Sequence, residues 1–217
     1  MNVASDAKTV LCFGDSLTWG FNPVDGSRFP FDVRCPGAAQ AVLGADYRII
    51  EEGLSGRNVA TESWVLPNRD GRAMLAPLLE THAPLDGVVL MLGTNDVAPS
   101  YGLSASQIAF GCGTLVWTVQ KSFSGRGGGV PRILLVAPPV LGTLKGMMTL
   151  FFAGAENVSR QLARHYAVVA DACGAKYLDA SQVGQAADSD GVLLDADSQR
   201  KLGRAIGALI AATDRVA

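Results

Sequence analysis

Histidine is nearly missing from this chain: 217 residues contain two, His82 and His165. An imidazole is the usual general base at neutral pH, since its ordinary pKa lies near about 6.5. Any base-assisted chemistry must use one of those two rings or do without. Cysteine is sparse as well. Cys12, Cys35, Cys112 and Cys173 form no CxxC pair, so free thiols are expected rather than disulfides or a zinc site. No group of residues has metal-ligand spacing, and no metal or cofactor is expected. No apolar run reaches the ~18 residues that a membrane span needs. Residues 1–8 are polar and lack the apolar stretch of a signal peptide, which points to a cytoplasmic protein. An excess of either charge is also absent. Lys and Arg total 18 against 20 Asp and Glu, a formal net charge of −2, so neither nucleic acid nor an anionic membrane is expected as partner.

What the chain does have is a regular alternation of apolar runs and helical stripes. With 48% hydrophobic residues it can bury a sizeable core, and one domain over residues 1–217 is expected. Strands are predicted at residues 9–12, 47–51, 85–92, 132–136 and 175–178. Helices are predicted at 32–43, 74–81, 104–122, 151–173 and 195–212. Five strands alternating with helices give an α/β fold: a three-layer α/β/α sandwich around a five-stranded parallel sheet.

The strand ends share a composition. Gly14-Asp15-Ser16, Gly53-Leu54-Ser55-Gly56, Gly93-Thr94-Asn95-Asp96 and Asp188-Ser189-Asp190-Gly191 are all glycine with small polar residues. In a parallel sheet these tips lie on one edge, where ligands bind. Singly, each also reads as an ordinary turn, with Ser16 a helix cap, Gly56 a loop glycine and Asn95 a turn cap. Together they point to an active site. Gly125-Arg126-Gly127-Gly128-Gly129 offers a weaker alternative, a phosphate loop in a flavodoxin-like binder. It precedes a strand, whereas a phosphate cradle follows one and opens a helix.

Gly14-Asp15-Ser16-Leu17, Gly53 with Gly56, Gly93-Thr94-Asn95-Asp96 and Asp190-Gly191-Val192 resemble the sequence blocks of the SGNH, or GDSL, hydrolases. The longer stretches 12–20, 51–57 and 90–96 resemble the bacterial arylesterase and acyltransferase branch of that family. The resemblance runs from about Thr9 to the last helix, and it implies the flavodoxin-like SGNH hydrolase fold. It implies a serine ester hydrolase or acyltransferase with Ser16 as nucleophile. The Ser16 and Gly56 backbone N–H groups and the Asn95 amide would be the oxyanion donors, and Asp190 would orient the base. Asp15 reads as a carboxylate that braces the turn.

The chain departs from the family at the base. The family has Asp-x-x-His before the last helix, and here Leu193 occupies the histidine position. Leucine can neither accept nor return a proton. His82 is expected at the opposite, strand-start edge of the sheet and His165 mid-helix, both out of reach. Activity of this chain is therefore expected to be strongly reduced, whether the leucine is natural or engineered. The alternative is a non-catalytic ligand-binding protein that retains the pocket.

For the substrate pocket the expected residues are Asp15, Leu17, Trp19, Met148, Phe151 and Phe152. Phe21, Phe29, Phe31, Trp64, Met147 and Leu150 are further candidates for the walls of an apolar channel. Such a channel suits small-molecule esters of short acyl groups and their alcohols, and favours acyl transfer by excluding water. The same exposed aromatics also fit a subunit interface, and a homo-oligomer is expected.

Overall fold

The structure, a computed structural model, describes residues 6–214. Its sheet has five parallel strands: β1 (Lys8–Gly14), β2 (Tyr47–Gly53), β3 (Gly87–Met91), β4 (Arg132–Ala137) and β5 (Lys176–Asp179). Their order is β2-β1-β3-β4-β5. The chain thus leaves β1 first to one side and then returns to the other. Such a reversal opens a crevice at the carboxyl ends of the two strands flanking it. Here those strands are β1 and β3, in register from Val10↔Gly87 to Gly14↔Met91.

Among the described residues seven α-helices accompany the sheet: α1 (Ser16–Trp19), α2 (Cys35–Leu43), α3 (Gly71–His82), α4 (Ala105–Lys121), α5 (Met148–Phe152), α6 (Glu156–Cys173) and α7 (Ala196–Asp214). Alternate side chains of a strand point to opposite faces, and the two cores divide accordingly. Leu11, Phe13, Val88, Leu90, Ile133 and Leu135 pack on one face against Leu75 and Leu79 of α3, Ile108 and Leu115 of α4 and Leu162 of α6. Val10, Cys12, Val89, Met91, Leu134 and Val136 pack on the other against Leu17, Ala39 of α2, and Leu202 and Ile206 of α7. This is the expected sandwich. Among the described residues no helix is long and apolar enough to cross a membrane.

The boundaries differ from the expected ones for local reasons. The helix expected from residue 32 begins at Cys35, because Pro36 occupies its first turn, the one helical position where a missing N–H costs nothing. The helix expected over 151–173 is two helices. They are separated at Ala153–Ala155, where Gly154 has φ +90, a left-handed value that a continuous helix cannot contain. The helix expected from residue 74 starts at Gly71, with the Asp70 carboxylate capping Arg72 N at 2.9 Å.

Candidate active site

The serine is placed by the end of β1. Asp15 caps the short helix α1, and its Oδ1 accepts from the Leu17 N–H at 2.9 Å. Gly20, at φ +82, ends the helix one turn later. Gly14 admits no side chain, since a Cβ there would lie 2.0 Å from Thr18 Oγ1. Ser16 is therefore the first residue of a single helical turn pinned at both ends, and it is half-buried at the mouth of the crevice. Asp15 is fully buried. Burial raises its pKa to about 6, against the Leu17 N–H and the Arg57 charge, which lower it.

Gly56 has φ +79, a left-handed conformation that excludes most side chains and bares the backbone. Asn95 sits beyond β3. Its Nδ2 donates to Arg57 O at 2.9 Å and lies 3.4 Å from Asp15 Oδ2, a long contact that leaves one N–H weakly engaged. Asp96 faces inward, and its carboxylate accepts from Val59 N at 2.9 and 3.1 Å.

Ser16, Gly56, Asn95 and Leu193 line one cavity of about 290 Å³, together with Phe21, Ser55, Trp64, Tyr101, Met148, Phe151 and Phe152. Trp64 and Phe151 lie with ring centroids 6.2 Å apart, and the Trp64 indole donates to Ser100 Oγ at 3.1 Å. The lining is mostly apolar, with Ser16, Ser55, Ser63, Asn95 and Ser100 among its polar residues.

Three expected pocket residues lie elsewhere. Asp15 faces the protein interior, held by the cap it makes. Leu17 is 0% exposed and packs into the core beneath α1, because successive side chains on a helix diverge by about 100°. Trp19 stands outside the cavity, 5.7 Å from the Phe21 ring and under the Arg28 guanidinium at 5.2 Å. Phe29, Phe31, Met147 and Leu150 are not among the lining residues either, whereas Val65, Leu66, Ala98 and Tyr101 are. These last four follow the second and third strand ends, and no sequence signal marked them.

Arg57 is another residue whose role sequence reasoning missed. It is 1% exposed. Its Nη1 donates to Gly14 O at 2.7 Å and to Glu52 O, and its guanidinium lies 4.1 Å over the Phe13 ring. One arginine thus joins the tips of β1 and β2, while its carbonyl receives the Asn95 amide. Burial lowers its pKa to about 10, opposed by the charges of Glu52 and Asp15. The available signal was an arginine directly after the Gly53-Leu54-Ser55-Gly56 strand end.

At the position where the resemblance expects a base, Leu193 is buried at 5% exposure and borders the cavity. Asp190 Oδ1 accepts from the Val192 and Leu193 N–H groups at 2.9 and 3.0 Å, so the aspartate builds the turn that presents residue 193. Neither histidine lines the cavity. His165 Nε2 lies 3.3 Å from Arg164. His82 differs from its expected place at the strand-start edge: its ring reaches Glu52 Oε1 at 2.9 Å, near the end of β2.

Residues 12–204 match the GDSL-like lipase/acylhydrolase family. The chain is similar in structure to Est24, a carbohydrate acetylesterase from Sinorhizobium meliloti, with 37% identity over 95% of this chain and 99% of that one, at a TM-score of 0.91. It is similar also to the native M. smegmatis aryl esterase, with 38% identity over 95% and 99% of the two chains, at a TM-score of 0.90. Among curated proteins no relative matches. By the extent of the family match and by its likeness to these two esterases, the chain belongs to the GDSL-like lipase/acylhydrolase family.

Proposed function

We propose that this chain is a serine esterase and acyltransferase scaffold for short acyl esters, working at strongly reduced rate because Leu193 stands where a base would be. The observation that carries the reading is the shared cavity: the Ser16 hydroxyl, the Gly56 backbone and the Asn95 amide border one space of about 290 Å³. In the reaction, Ser16 Oγ attacks the ester carbonyl carbon. The carbonyl oxygen gains negative charge and is met by the Ser16 and Gly56 N–H groups and the Asn95 amide. Collapse expels the alcohol and leaves an acyl group on Ser16, which water or a second alcohol removes. The Oγ proton passes to solvent, since no imidazole borders the cavity.

The narrow wall of Trp64, Phe151 and Phe152 suits small acyl groups. The two similar esterases are named for acetyl and aryl esters, and this supports the same class here. A dry entrance favours an alcohol over water as acceptor. Met147 and Leu150, 61% and 75% exposed and next in sequence to the lining residues Met148 and Phe151, support a homo-oligomer whose subunits meet there.

The test restores the base. Leu193→His is expected to raise hydrolysis of an aryl acetate by about a thousandfold or more, the scale of a triad histidine. An unchanged rate would show that residue 193 does not hold the base position. A second reading, a binding protein without turnover, rests on the buried apolar Leu193 itself. A wild-type chain that binds esters but never acylates would favour it.

A further inference from the structure

We infer that Arg69 is a positioning residue for the oxyanion hole, holding the Gly56 N–H at its angle and enriching its donor strength. The inference rests on the reading of Ser16, Gly56 and Asn95 given above. Arg69 Nε donates to Ser55 O at 2.8 Å. That carbonyl belongs to the same peptide unit as the Gly56 N–H. In a planar trans peptide the C=O and N–H point in opposite directions, so fixing one aims the other. Gly56, at φ +79 and without a side chain, has little else to resist rotation of this unit.

The arginine is itself anchored through its backbone and its guanidinium. Its backbone carbonyl accepts from Asn58 N at 2.9 Å, in a buried stretch, and its N–H donates to Glu62 Oε1 at 2.9 Å. Its Nη1 donates to Pro67 O at 2.6 Å. The guanidinium thus spans from the wall loop to the second strand tip and stays beside Gly56: a Cβ built on that glycine would lie 3.8 Å from Nε. Two effects follow. A charged donor on Ser55 O polarises the peptide, and its N–H becomes a stronger donor. The N–H is also held at a fixed angle toward the region where the substrate oxygen becomes negative, while the guanidinium stays behind the peptide and away from substrate.

A bracing role alone would show differently. Residues 63–66 form part of the wall, so an arginine that only steadied this loop would affect how tightly ligands bind. An arginine that aims the N–H affects the chemical step. The two are separated by the reaction of Ser16 with an alkyl fluorophosphonate, in which an Oγ–P bond forms, fluoride leaves and the hydroxyl proton goes to water. The maximal labelling rate reports the charged, five-coordinate transition state, and the half-saturating concentration reports ground-state binding.

In the native chain, Arg69→Met is expected to lower the maximal labelling rate by about 10- to 100-fold, somewhat less than outright loss of an oxyanion donor. The half-saturating concentration should stay within about twofold, and Arg69→Lys, which keeps a charged donor, should recover much of the rate. An unchanged maximal rate in Arg69→Met, or a loss confined to half-saturation, would overturn the inference while leaving Ser16 as nucleophile. Labelling that persists in Ser16→Ala, or wild-type protein that never labels, would remove the functional reading and this inference with it.

Discussion

A buried acid without a cation is the most consequential residue-scale feature after the site itself. Asp96 is 1% exposed, and burial raises its pKa to about 7, against the Val59 N–H that lowers it; Asp15 and Asp70 raise it further. In an unfolded chain the same carboxyl titrates near about 3.9. Between these values the folded protein binds more protons than the unfolded one, so stability falls as pH rises. Above the folded pKa the cost of the ionised group is fully present, and below the unfolded pKa it is gone. Asp96→Asn keeps an acceptor for Val59 N and removes the titration. The expected outcome is a flatter dependence of the urea midpoint between pH 5 and 8, with the gain largest at pH 8. Equal pH dependence in both proteins would show that Asp96 is ionised throughout. Which strand-end residues share a cavity was legible, because Ser16, Gly56 and Asn95 belong to the turns of glycine and small polar residues that follow three parallel strands. The identity of their neighbours was not. Leu17 and Trp19 flank Ser16 in sequence but diverge around a helical turn, and Arg57 acts through contacts 43 positions back, at Gly14 O.

At the scale of elements, α2 and α7 approach each other closely at a glycine, beside the Leu202 and Ile206 side chains that α7 buries. A Cβ on Gly203 would lie 2.3 Å from Cys35 O and 2.6 Å from Ala38 Cβ. Gln199 adds a polar clasp at the same place: it accepts from Cys35 N at 2.8 Å and donates to Leu17 O at 2.9 Å. These two bonds hold α1, and with it Ser16, against the last helix. Gly203→Ala forces backbone apart at this junction. Its expected cost is about 1–3 kcal/mol, the usual range for overpacking, read as a lower urea midpoint with an unchanged slope. A neutral or stabilising effect would show that α7 can slide. That both segments are helical was readable from the sequence. Their partnership was not, since residues 35 and 203 are brought together only by the order of the strands.

At the scale of the molecule, the sheet order decides which parts of the site are stiff. β1 has neighbours on both sides, β2 and β3, and β3 lies between β1 and β4; β2 and β5 are the edges. Ser16 and Asn95 thus extend from interior strands whose side chains are almost wholly buried. The wall facing them includes the exposed stretch 64–68, which has few apolar partners to hold it. Local stability follows burial and hydrogen bonding, so native-state hydrogen exchange should separate the two. Amides of Val10–Phe13 and Val88–Leu90 are expected to exchange only through global unfolding. Those of β5 should exchange more than about tenfold faster, and those of 64–68 faster still. Protection of 64–68 equal to that of β1 would mean that the wall is as rigid as the floor, and that acyl size is set by fixed walls. The expected contrast instead leaves the proposed nucleophile and two of the proposed oxyanion donors, the Ser16 N–H and the Asn95 amide, fixed while the wall adapts around the acyl group. It also gives Arg69 its place, since its side chain runs from that soft wall to the peptide that carries the Gly56 donor.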